Sequence, residues 1–300
     1  MQAIQGVIAP NLTPFNDDLT IATDLYITHA HSLLADGCSA LAPFGTTGEA
    51  LSLGIAERKA TLEALVHSGI DPAQLIPGTG LTSLPDTMDL TKHAMDLGCF
   101  AAMTLPPFYF KGVSDDGLFG YFKRLIDAIA DDRLKLVLYH IPPVTQIGFS
   151  LELVDRLASA FPGTIVGIKD SSGDFAHTAA LLEAQKALMV YPGSELNLVD
   201  AVRLGAPGCI TATANVNASA IASAYALRMT ENAAKTQQAI AGFRKIIQPY
   251  GPIPAMKALI SQKLGDLRWR NVRPPLDAIY DGSLAELSHK LACMEGRQVS

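Results

Sequence analysis

Eight short apolar segments recur along this 300-residue chain, separated by longer stretches of helical character. Their spacing is near the ~30 residues of a strand–helix–strand unit. The predicted strands are Gly6–Pro10, Ala40–Phe44, Leu75–Gly78, Ala101–Leu105, Lys135–Tyr139, Ile165–Lys169, Met189–Tyr191 and Gly208–Thr211. Because no Pro- or Ser-rich linker divides them, the pattern predicts an α/β fold, a (β/α)8 TIM barrel of parallel strands ringed by helices. An open doubly wound sheet is the structural alternative.

Composition and the last third of the chain predict how the barrel is completed. The chain is 49% hydrophobic and 17% charged, so it has enough apolar residues for a large core. After the eighth segment the pattern becomes helical, with proline-containing breaks at 251–254 and 272–275. We expect residues 1–225 to form the barrel and residues 226–300 to form a C-terminal helical extension packed on it, the two making one catalytic unit.

Charge and cysteine usage restrict the partners and the compartment. The formal net charge of −6 argues against nucleic acid or an anionic membrane as a partner. Arg58 is the first basic residue, so the N-terminus lacks the charged region of a secretory signal, and no run of about 18 apolar residues predicts a membrane span. The chain contains four widely separated cysteines, which indicate neither a disulfide framework nor a zinc site: Cys38, Cys99, Cys209 and Cys293. A cytoplasmic location is expected.

Lys169 is the residue with the clearest chemical potential. It closes the apolar segment Ile165–Lys169, so its amine lies at the mouth of a buried strand. Desolvation penalises the ammonium form of a lysine, and lysines in such places serve as Schiff-base nucleophiles. A lysine at a strand end can equally extend its ammonium group into solvent. The neighbouring segments decide between these two interpretations.

The segment Gly45 to Glu49 follows the second predicted strand. Its two glycines allow a tight turn that brings backbone amides close to a ligand, and Thr46 and Thr47 add hydroxyl groups. Such amides can hold a carboxylate without a cationic side chain. A plain strand-to-helix turn is the alternative. In a (β/α)8 barrel, the functional groups collect at the C-terminal ends of the strands and in the loops that follow them.

Two tyrosines follow other predicted strands. Tyr139 ends the fifth strand, one unit before Lys169, so both side chains are expected in one pocket. A phenol can donate a proton and take it back, as imine formation requires when a carbinolamine loses water. Tyr109 lies in a loop rich in proline and phenylalanine, where an interface role is as well supported as a catalytic one.

Other motifs carry little chemistry. His29 and His31 point in different directions on a predicted helix, which favours a surface helix over a metal pair. The segment Gly78 to Ser83 matches a dinucleotide fingerprint only in part, because Ser83 replaces its third glycine and the ribose-binding acid is missing. Neither a phosphate-binding Gly-x-x-x-x-Gly-Lys loop nor a Gly-x-Ser-x-Gly elbow occurs in the sequence. None of these motifs indicates a metal site or a nucleotide site.

Six short motifs occur in order along almost the whole chain: Thr13–Phe15, Gly45–Glu49, Pro107–Tyr109, Tyr139 with Ile141–Pro142, Gly167–Gly173 and Arg273–Pro275. Together they resemble the dihydrodipicolinate synthase and N-acetylneuraminate lyase superfamily of class I aldolases. The resemblance implies a (β/α)8 barrel with a C-terminal helical extension, assembled as a homotetramer that is a dimer of dimers. It also implies catalysis through a covalent imine, without a metal or cofactor.

The resemblance further implies roles for individual residues. Lys169 would form a Schiff base with pyruvate or another 2-oxo acid, and Tyr139 would be the central proton-transfer residue. Thr46 would link Tyr139 to the partner subunit's Tyr109. Thr46 and Thr47, with Gly45 shaping the turn, would hold the substrate carboxylate.

Two departures from the family pattern concern the substrate. Dihydrodipicolinate synthases carry an arginine shortly after the strand-five tyrosine, which binds the carboxylate of the aldehyde substrate, and Val144 stands at that place here. Sialic acid lyases place an Asp-Glu pair after the glycine of strand seven, whereas Gly193 is followed here by Ser194 and Glu195. His140, Ser194 and Glu195 are predicted to contact the distal part of the substrate from their position alone.

The sequence thus predicts a pyruvate-linked lyase that cleaves or forms a carbon–carbon bond in a small 2-oxo acid, of the 2-keto-3-deoxy sugar acid aldolase type. Within the same chemistry, 4-hydroxy-tetrahydrodipicolinate synthesis and dehydration of a deoxy sugar acid are the alternatives. A catalytically silent relative that only binds a 2-oxo acid would not need Lys169 and Tyr139 together. A nicotinamide-dependent oxidoreductase would need the missing fingerprint.

Overall fold

A barrel of parallel strands forms the centre of the molecule in a computed structural model, which describes residues 3–296. Within these residues there are seven strands: β1 (Gly6–Ala9), β2 (Cys38–Leu41), β3 (Ala102–Thr104), β4 (Leu136–His140), β5 (Ile165–Asp170), β6 (Met189–Pro192) and β7 (Gly208–Ile210). They pair in two parallel sheets, in the orders β2-β1-β7 and β3-β4-β5-β6. β6 lies beside β7 and closes the ring on one side.

The segment 75–78 closes the ring on the other side. It was predicted as a full strand, but it contacts β2 and β3 only through isolated bridges, Leu41 to Leu75 and Gly78 to Met103. Pro77 has no amide hydrogen to add to a ladder, although its carbonyl accepts from Met103 N at 2.8 Å. The segment therefore fills the place of the third barrel strand without regular pairing, and the predicted (β/α)8 barrel is confirmed.

Helices surround the barrel and cover one of its ends. In the described part of the chain they are α1 (Thr23–Ala35), α2 (Ile55–His67), α3 (Leu84–Asp96), α4 (Asp115–Ile129), α5 (Pro142–Thr145), α6 (Leu151–Ala160), α7 (Phe175–Ala184), α8 (Leu198–Arg203), α9 (Ala214–Ala226), α10 (Ala233–Ile247), α11 (Pro252–Leu264) and α12 (Asp281–Gly296). Ser150 caps α6 by accepting a hydrogen bond from Leu153 N at 3.0 Å. Among these helices, none combines the length and the apolar character needed to cross a bilayer.

Successive side chains of each strand point alternately to the barrel interior and to the surrounding helices, which gives two apolar layers. In β4, Val137 and Tyr139 pack with other strand residues in the barrel interior. Leu136 and Leu138, on the opposite face, pack against the surrounding helices. Because successive side chains of a strand point to opposite faces, this alternation fixes which residues near the end of each strand face the cavity.

The C-terminal helices form a layer with its own core. Trp269 is fully buried there, together with Met256 and Leu287. α10 packs against α9, α12 and the turn that follows β6, so it lies over the carboxyl ends of the strands. The predicted C-terminal helical extension is confirmed, and it forms part of the wall of the cavity described next.

Candidate active site

A cavity of about 550 Å³ opens at the carboxyl ends of the barrel strands, where the C-terminal helices cover them. Five of the residues predicted for the site line it: Thr46, Thr47, Tyr139, Lys169 and Ser194. Cavities of this size hold ligands larger than pyruvate. The structure therefore brings the predicted nucleophile, phenol and hydroxyl groups to one place.

Lys169 and Tyr139 are direct neighbours across two strands. They are paired in register between β4 and β5, so both side chains point into the barrel. The Lys169 Nζ lies 4.3 Å from the centre of the Tyr139 ring. Both residues are buried, with 4% and 3% of their surface exposed. The amine thus lies beside a phenol in a largely apolar interior.

The phenol has a second partner in the threonine loop. Thr46 Oγ1 lies 3.2 Å from the Tyr139 hydroxyl, and either group can be the donor. The Thr46 side chain lines the cavity that also contains Lys169. A proton can therefore pass between the phenol and the threonine hydroxyl without a rearrangement of either side chain.

The loop from Gly45 to Glu49 is held in a tight turn. The amides of Gly48 and Glu49 donate to the carbonyls of Gly45 and Thr46, each at 3.1 Å. The amides of Thr46 and Thr47 make no hydrogen bond to the residues that the structure describes. Gly48 is required at its position because a Cβ there would lie 2.7 Å from a backbone oxygen. Two amides without a hydrogen-bond partner among the described residues and two hydroxyls thus belong to residues that line the cavity, and such groups can bind a carboxylate.

Tyr109 lies apart from this group within one subunit. It is 73% exposed and packs edge-on against Phe110, which is also exposed. Lys111, close by in the same loop, donates to the carbonyl of Thr145 at 2.7 Å. The loop therefore presents two aromatic rings to solvent rather than to this subunit's cavity.

Glu195 is buried behind the cavity wall. Its side chain is completely buried and accepts hydrogen bonds from the hydroxyls of Thr211 and Thr213. Arg244 Nη1, from α10, lies 3.2 Å from Glu195 Oε2. The carboxylate therefore orients an arginine that itself lines the cavity, while the neighbouring Ser194 lines the cavity directly.

His140 faces the helices and not the barrel interior, because it follows the inward-pointing Tyr139 by one residue. Its Nδ1 accepts a hydrogen bond from Phe149 N at 2.9 Å, and its ring stacks on His177 at 4.5 Å between ring centres. Burial lowers the pKa of His140 to about 4. The side chain is therefore a neutral packing partner near the site.

Asp170, next to Lys169, completes a group of three potential metal ligands with His140 and His177 in the described part of the chain. Burial alone raises the pKa of Asp170, but hydrogen bonds outweigh it and hold the pKa below its ordinary value. Their donors are Thr178 Oγ1, Ser172 N and His177 Nδ1. The two histidine rings lie within 16° of parallel, so their in-plane lone pairs do not converge on one ion.

The C-terminal helices add residues that the sequence pattern did not single out. Arg244, Lys245 and Gln248 line the cavity from α10 and the turn after it. They lie more than 70 positions beyond Lys169 in the chain. Adjacent basic residues also occur at Arg58–Lys59 and Lys123–Arg124, so no local signal marks Arg244 and Lys245.

Comparisons with known proteins agree on one family. The model of the dihydrodipicolinate synthetase family matches residues 3–293. An uncharacterised DapA-like lyase of Chloroflexus aurantiacus is 33% identical over 286 residues, covering 94% of each chain. The crystal structure of dihydrodipicolinate synthase from Agrobacterium tumefaciens superposes with a TM-score of 0.89 at 35% identity, covering 96% of this chain and 99% of that one.

A third relative was solved with a small molecule bound. Dihydrodipicolinate synthase from Acinetobacter baumannii, complexed with pyruvate, superposes with a TM-score of 0.86 at 28% identity. The match covers 98% of this chain and 99% of that one. The matches to these three relatives include both the barrel and the C-terminal helices of this chain.

Proposed function

This chain belongs to the dihydrodipicolinate synthetase family, whose members are lyases, and on that premise we propose that it makes or cleaves a carbon–carbon bond in a small 2-oxo acid. The contact between the Lys169 amine and the Tyr139 ring, at 4.3 Å, carries this proposal. The pyruvate complex of the Acinetobacter relative supports pyruvate as the common substrate or product. The 2-keto-3-deoxy sugar acid aldolase type is the leading assignment.

In this mechanism the Lys169 amine attacks the ketone carbon of the 2-oxo acid and forms a carbinolamine. Tyr139 donates a proton to the departing hydroxyl group, so that water leaves and an iminium ion remains. Tyr139, now deprotonated, takes the proton of the hydroxyl next to the scissile carbon–carbon bond, and the iminium accepts the electron pair of that bond, which releases an aldehyde and leaves an enamine. Protonation and hydrolysis then release pyruvate and restore the amine. In the reverse direction the enamine attacks an aldehyde.

The carboxylate next to the ketone is assigned to the threonine loop. The free amides and hydroxyls of Thr46 and Thr47 can donate to both of its oxygens, and Gly45 allows the turn. Because these donors are fixed by the turn before substrate binds, they orient the ketone toward Lys169 at little entropic cost. Thr46 would at the same time hold the Tyr139 phenol.

Assembly completes the site in this proposal. The exposed Tyr109 ring is available to enter the cavity of a partner subunit and to reach Thr46 there. A homotetramer formed as a dimer of dimers would contain four such sites, each of them with no cofactor beyond the Lys169 imine. Tyr109→Ala should then weaken both the association of subunits and the turnover.

A second candidate function is 4-hydroxy-tetrahydrodipicolinate synthesis, which the 35% identity to the Agrobacterium enzyme favours. Val144 argues against it, since this residue lines the cavity where that reaction needs a cation for the aldehyde's carboxylate. Dehydration of a deoxy sugar acid would use the same imine. A silent binding protein would not need Lys169 and Tyr139 in contact.

Imine trapping tests the proposal. With pyruvate and borohydride, the peptide that contains Lys169 should gain the mass of a reduced pyruvyl group. Lys169→Arg should remove the label, whereas Lys186→Arg, a change at an exposed lysine, should keep it. Labelling of another lysine, or none under conditions that label a known aldolase, would refute the mechanism. Product analysis with a panel of aldehydes then separates the aldolase from the synthase and the dehydratase.

A further inference from the structure

The outer wall of the cavity has a basic side that the proposed chemistry does not use. Arg244 and Lys245 line this wall from α10. The side chain of Lys245 is exposed, whereas that of Lys169 is buried. The imine would therefore form at the closed end, and the basic pair lies toward the open end. A ligand of pyruvate's size bonded to Lys169 would leave much of the 550 Å³ cavity, including this wall, to the rest of a longer substrate.

Arg244 is held in place before any ligand binds. Its Nη1 donates to Glu195 Oε2 at 3.2 Å and to Thr211 Oγ1 at 3.3 Å. Its Nη2 and Nε have no acceptor among the residues that the structure describes. Glu195 is itself fixed by two threonine hydroxyls. Both nitrogens belong to a planar guanidinium of a residue that lines the cavity, and such a group suits a carboxylate or a phosphate.

Lys245 adds a charge that Glu195 does not neutralise. It makes no ion pair with any carboxylate of the described residues within 4.0 Å. The acidic groups of the cavity, Asp170 and Asp174, lie on the side of α7 instead. Asp170 has three hydrogen-bond donors, and Asp174 caps α7 by accepting from Ala176 N at 2.9 Å. The two sides of the cavity mouth therefore differ in charge.

From this asymmetry we propose that Arg244 and Lys245 select an aldehyde whose far end carries an oxyanion, so that the full substrate is a 2-oxo acid with a second anionic group. Glu195 is in this view a positioning residue for Arg244, and it does not touch the substrate. The basic pair supplies from α10 the positive charge that Val144 does not supply from the loop after β4. The inference rests on the proposed function, because it concerns the second substrate of the same site.

Paired aldehydes test the selectivity with pyruvate as the donor. Succinate semialdehyde is compared with butanal, and glyceraldehyde 3-phosphate with glyceraldehyde, so that the carboxylate and the phosphate are tested separately. At least one anionic aldehyde should exceed its neutral counterpart by about 10-fold or more in kcat/KM, as expected for a hydrogen bond to a charged group. The pair that shows the larger preference for its anionic aldehyde identifies whether a carboxylate or a phosphate is recognised. Equal or higher kcat/KM for both neutral aldehydes would overturn the proposal.

Variants on α10 localise the effect. Arg244→Met should reduce the preference about 10- to 100-fold, and Arg244→Lys should retain part of it. Lys245→Met, at an exposed position, should reduce it about 2- to 5-fold and flatten its salt dependence. Lys235→Met, on the same helix but outside the cavity wall, is the matched control and should change nothing. An unchanged preference in Lys245→Met and in both Arg244 variants would refute the assignment.

Trapping of pyruvate by borohydride is measured on every preparation. If the native protein is not labelled at Lys169, the proposed function has failed. If labelling is normal but the anionic aldehydes are not preferred, only this inference has failed. Labelling in the Arg244 variants also shows that the inner site is intact, since Arg244→Met leaves Glu195 buried without its cation.

Discussion

Lys257 Nζ lies 2.6 Å from Glu49 Oε1, and both side chains are completely buried. This ion pair joins α11 to the end of the threonine loop. Glu49 adopts a left-handed backbone conformation, with φ of 54°, which a residue with a side chain adopts only when its surroundings hold it there. The second carboxylate oxygen accepts from Arg273 N at 3.1 Å. The C-terminal region thus fixes the loop that carries Thr46 and Thr47.

Lys257→Met should destabilise the protein severely, because it leaves the Glu49 carboxylate buried without a cation. We expect a loss of about 3–5 kcal/mol in the free energy of unfolding, the usual result of removing one partner of a buried pair. Urea denaturation followed by circular dichroism measures it. Adding Glu49→Gln to the same variant should restore part of the loss, since the uncompensated charge disappears. A double variant no more stable than Lys257→Met would contradict this account.

Tyr139→Phe should preserve the fold and slow imine formation, since it removes only a hydroxyl that reaches Thr46. General acid–base groups contribute about 10²- to 10⁴-fold to a rate, and we expect a loss in that range. Stopped-flow measurement of pyruvate binding, or timed borohydride trapping, gives the rate.

Two substitutions at Thr46 test its contact with the Tyr139 hydroxyl. Thr46→Ser keeps a hydroxyl beside the phenol and should retain most of the rate of imine formation. Thr46→Val removes the hydroxyl and should lower both the rate and the affinity for pyruvate, because Thr46 also lies at the expected carboxylate position. Equal rates in the serine and valine variants would remove Thr46 from the proton path.

Gly208→Ala should disrupt the barrel at the junction of β1 and β7. A Cβ at this position would lie 1.8 Å from the carbonyl oxygen of Gly6, which is backbone and cannot move aside. We expect loss of soluble protein or a large drop in melting temperature. Gly120→Ala, in α4, is the control, because no heavy atom lies within 4 Å of its added Cβ. It should stabilise by about 0.5–1 kcal/mol. A tolerated Gly208→Ala would mean that the strands separate more easily than their packing indicates.

Sequence periodicity predicts the barrel because each strand–helix unit must bury its own apolar face. It also predicts that Lys169 and Tyr139 meet, since they end adjacent strands of one parallel sheet. His140, one residue after Tyr139, faces the helices and not the cavity, because successive side chains of a strand point to opposite faces. The environment of Glu195 depends on Arg244, 49 positions away, and local pattern contains no information about such a distant partner.

His29 shows the same limit and leads to a prediction about pH. The sequence favours a surface helix over a metal pair here but does not indicate that His29 lies on the buried face of α1, where it is 6% exposed. Its Nε2 lies 2.9 Å from Asn215 Oδ1, and the His29 and Trp269 rings pack edge to face with their centres 4.9 Å apart. Trp269 comes from the C-terminal region, so the amphipathic pattern of α1 alone could not indicate this contact.

Burial lowers the pKa of His29 to about 4 and outweighs the hydrogen bond to Asn215, which acts to raise it. The unfolded chain binds a proton near pH 6.5, so between about pH 6.5 and 4 the unfolded state carries more protons than the folded state. Stability should therefore fall as the pH falls through this window, by about 2 kcal/mol at pH 5 for this one group, and it should not depend on His29 above pH 7.

Urea denaturation of the native protein and of His29→Gln at pH 7 and pH 5 measures this contribution. The glutamine keeps a donor for Asn215 but does not titrate, so its loss of stability on acidification should be smaller by about 2 kcal/mol. His67→Gln, at an exposed position, should lose as much as the native protein. Because burial also lowers the pKa of His140 to about 4, part of the pH dependence should remain in the His29 variant. Parallel losses in the native protein and in His29→Gln would show that His29 does not remain neutral in the folded state at pH 5.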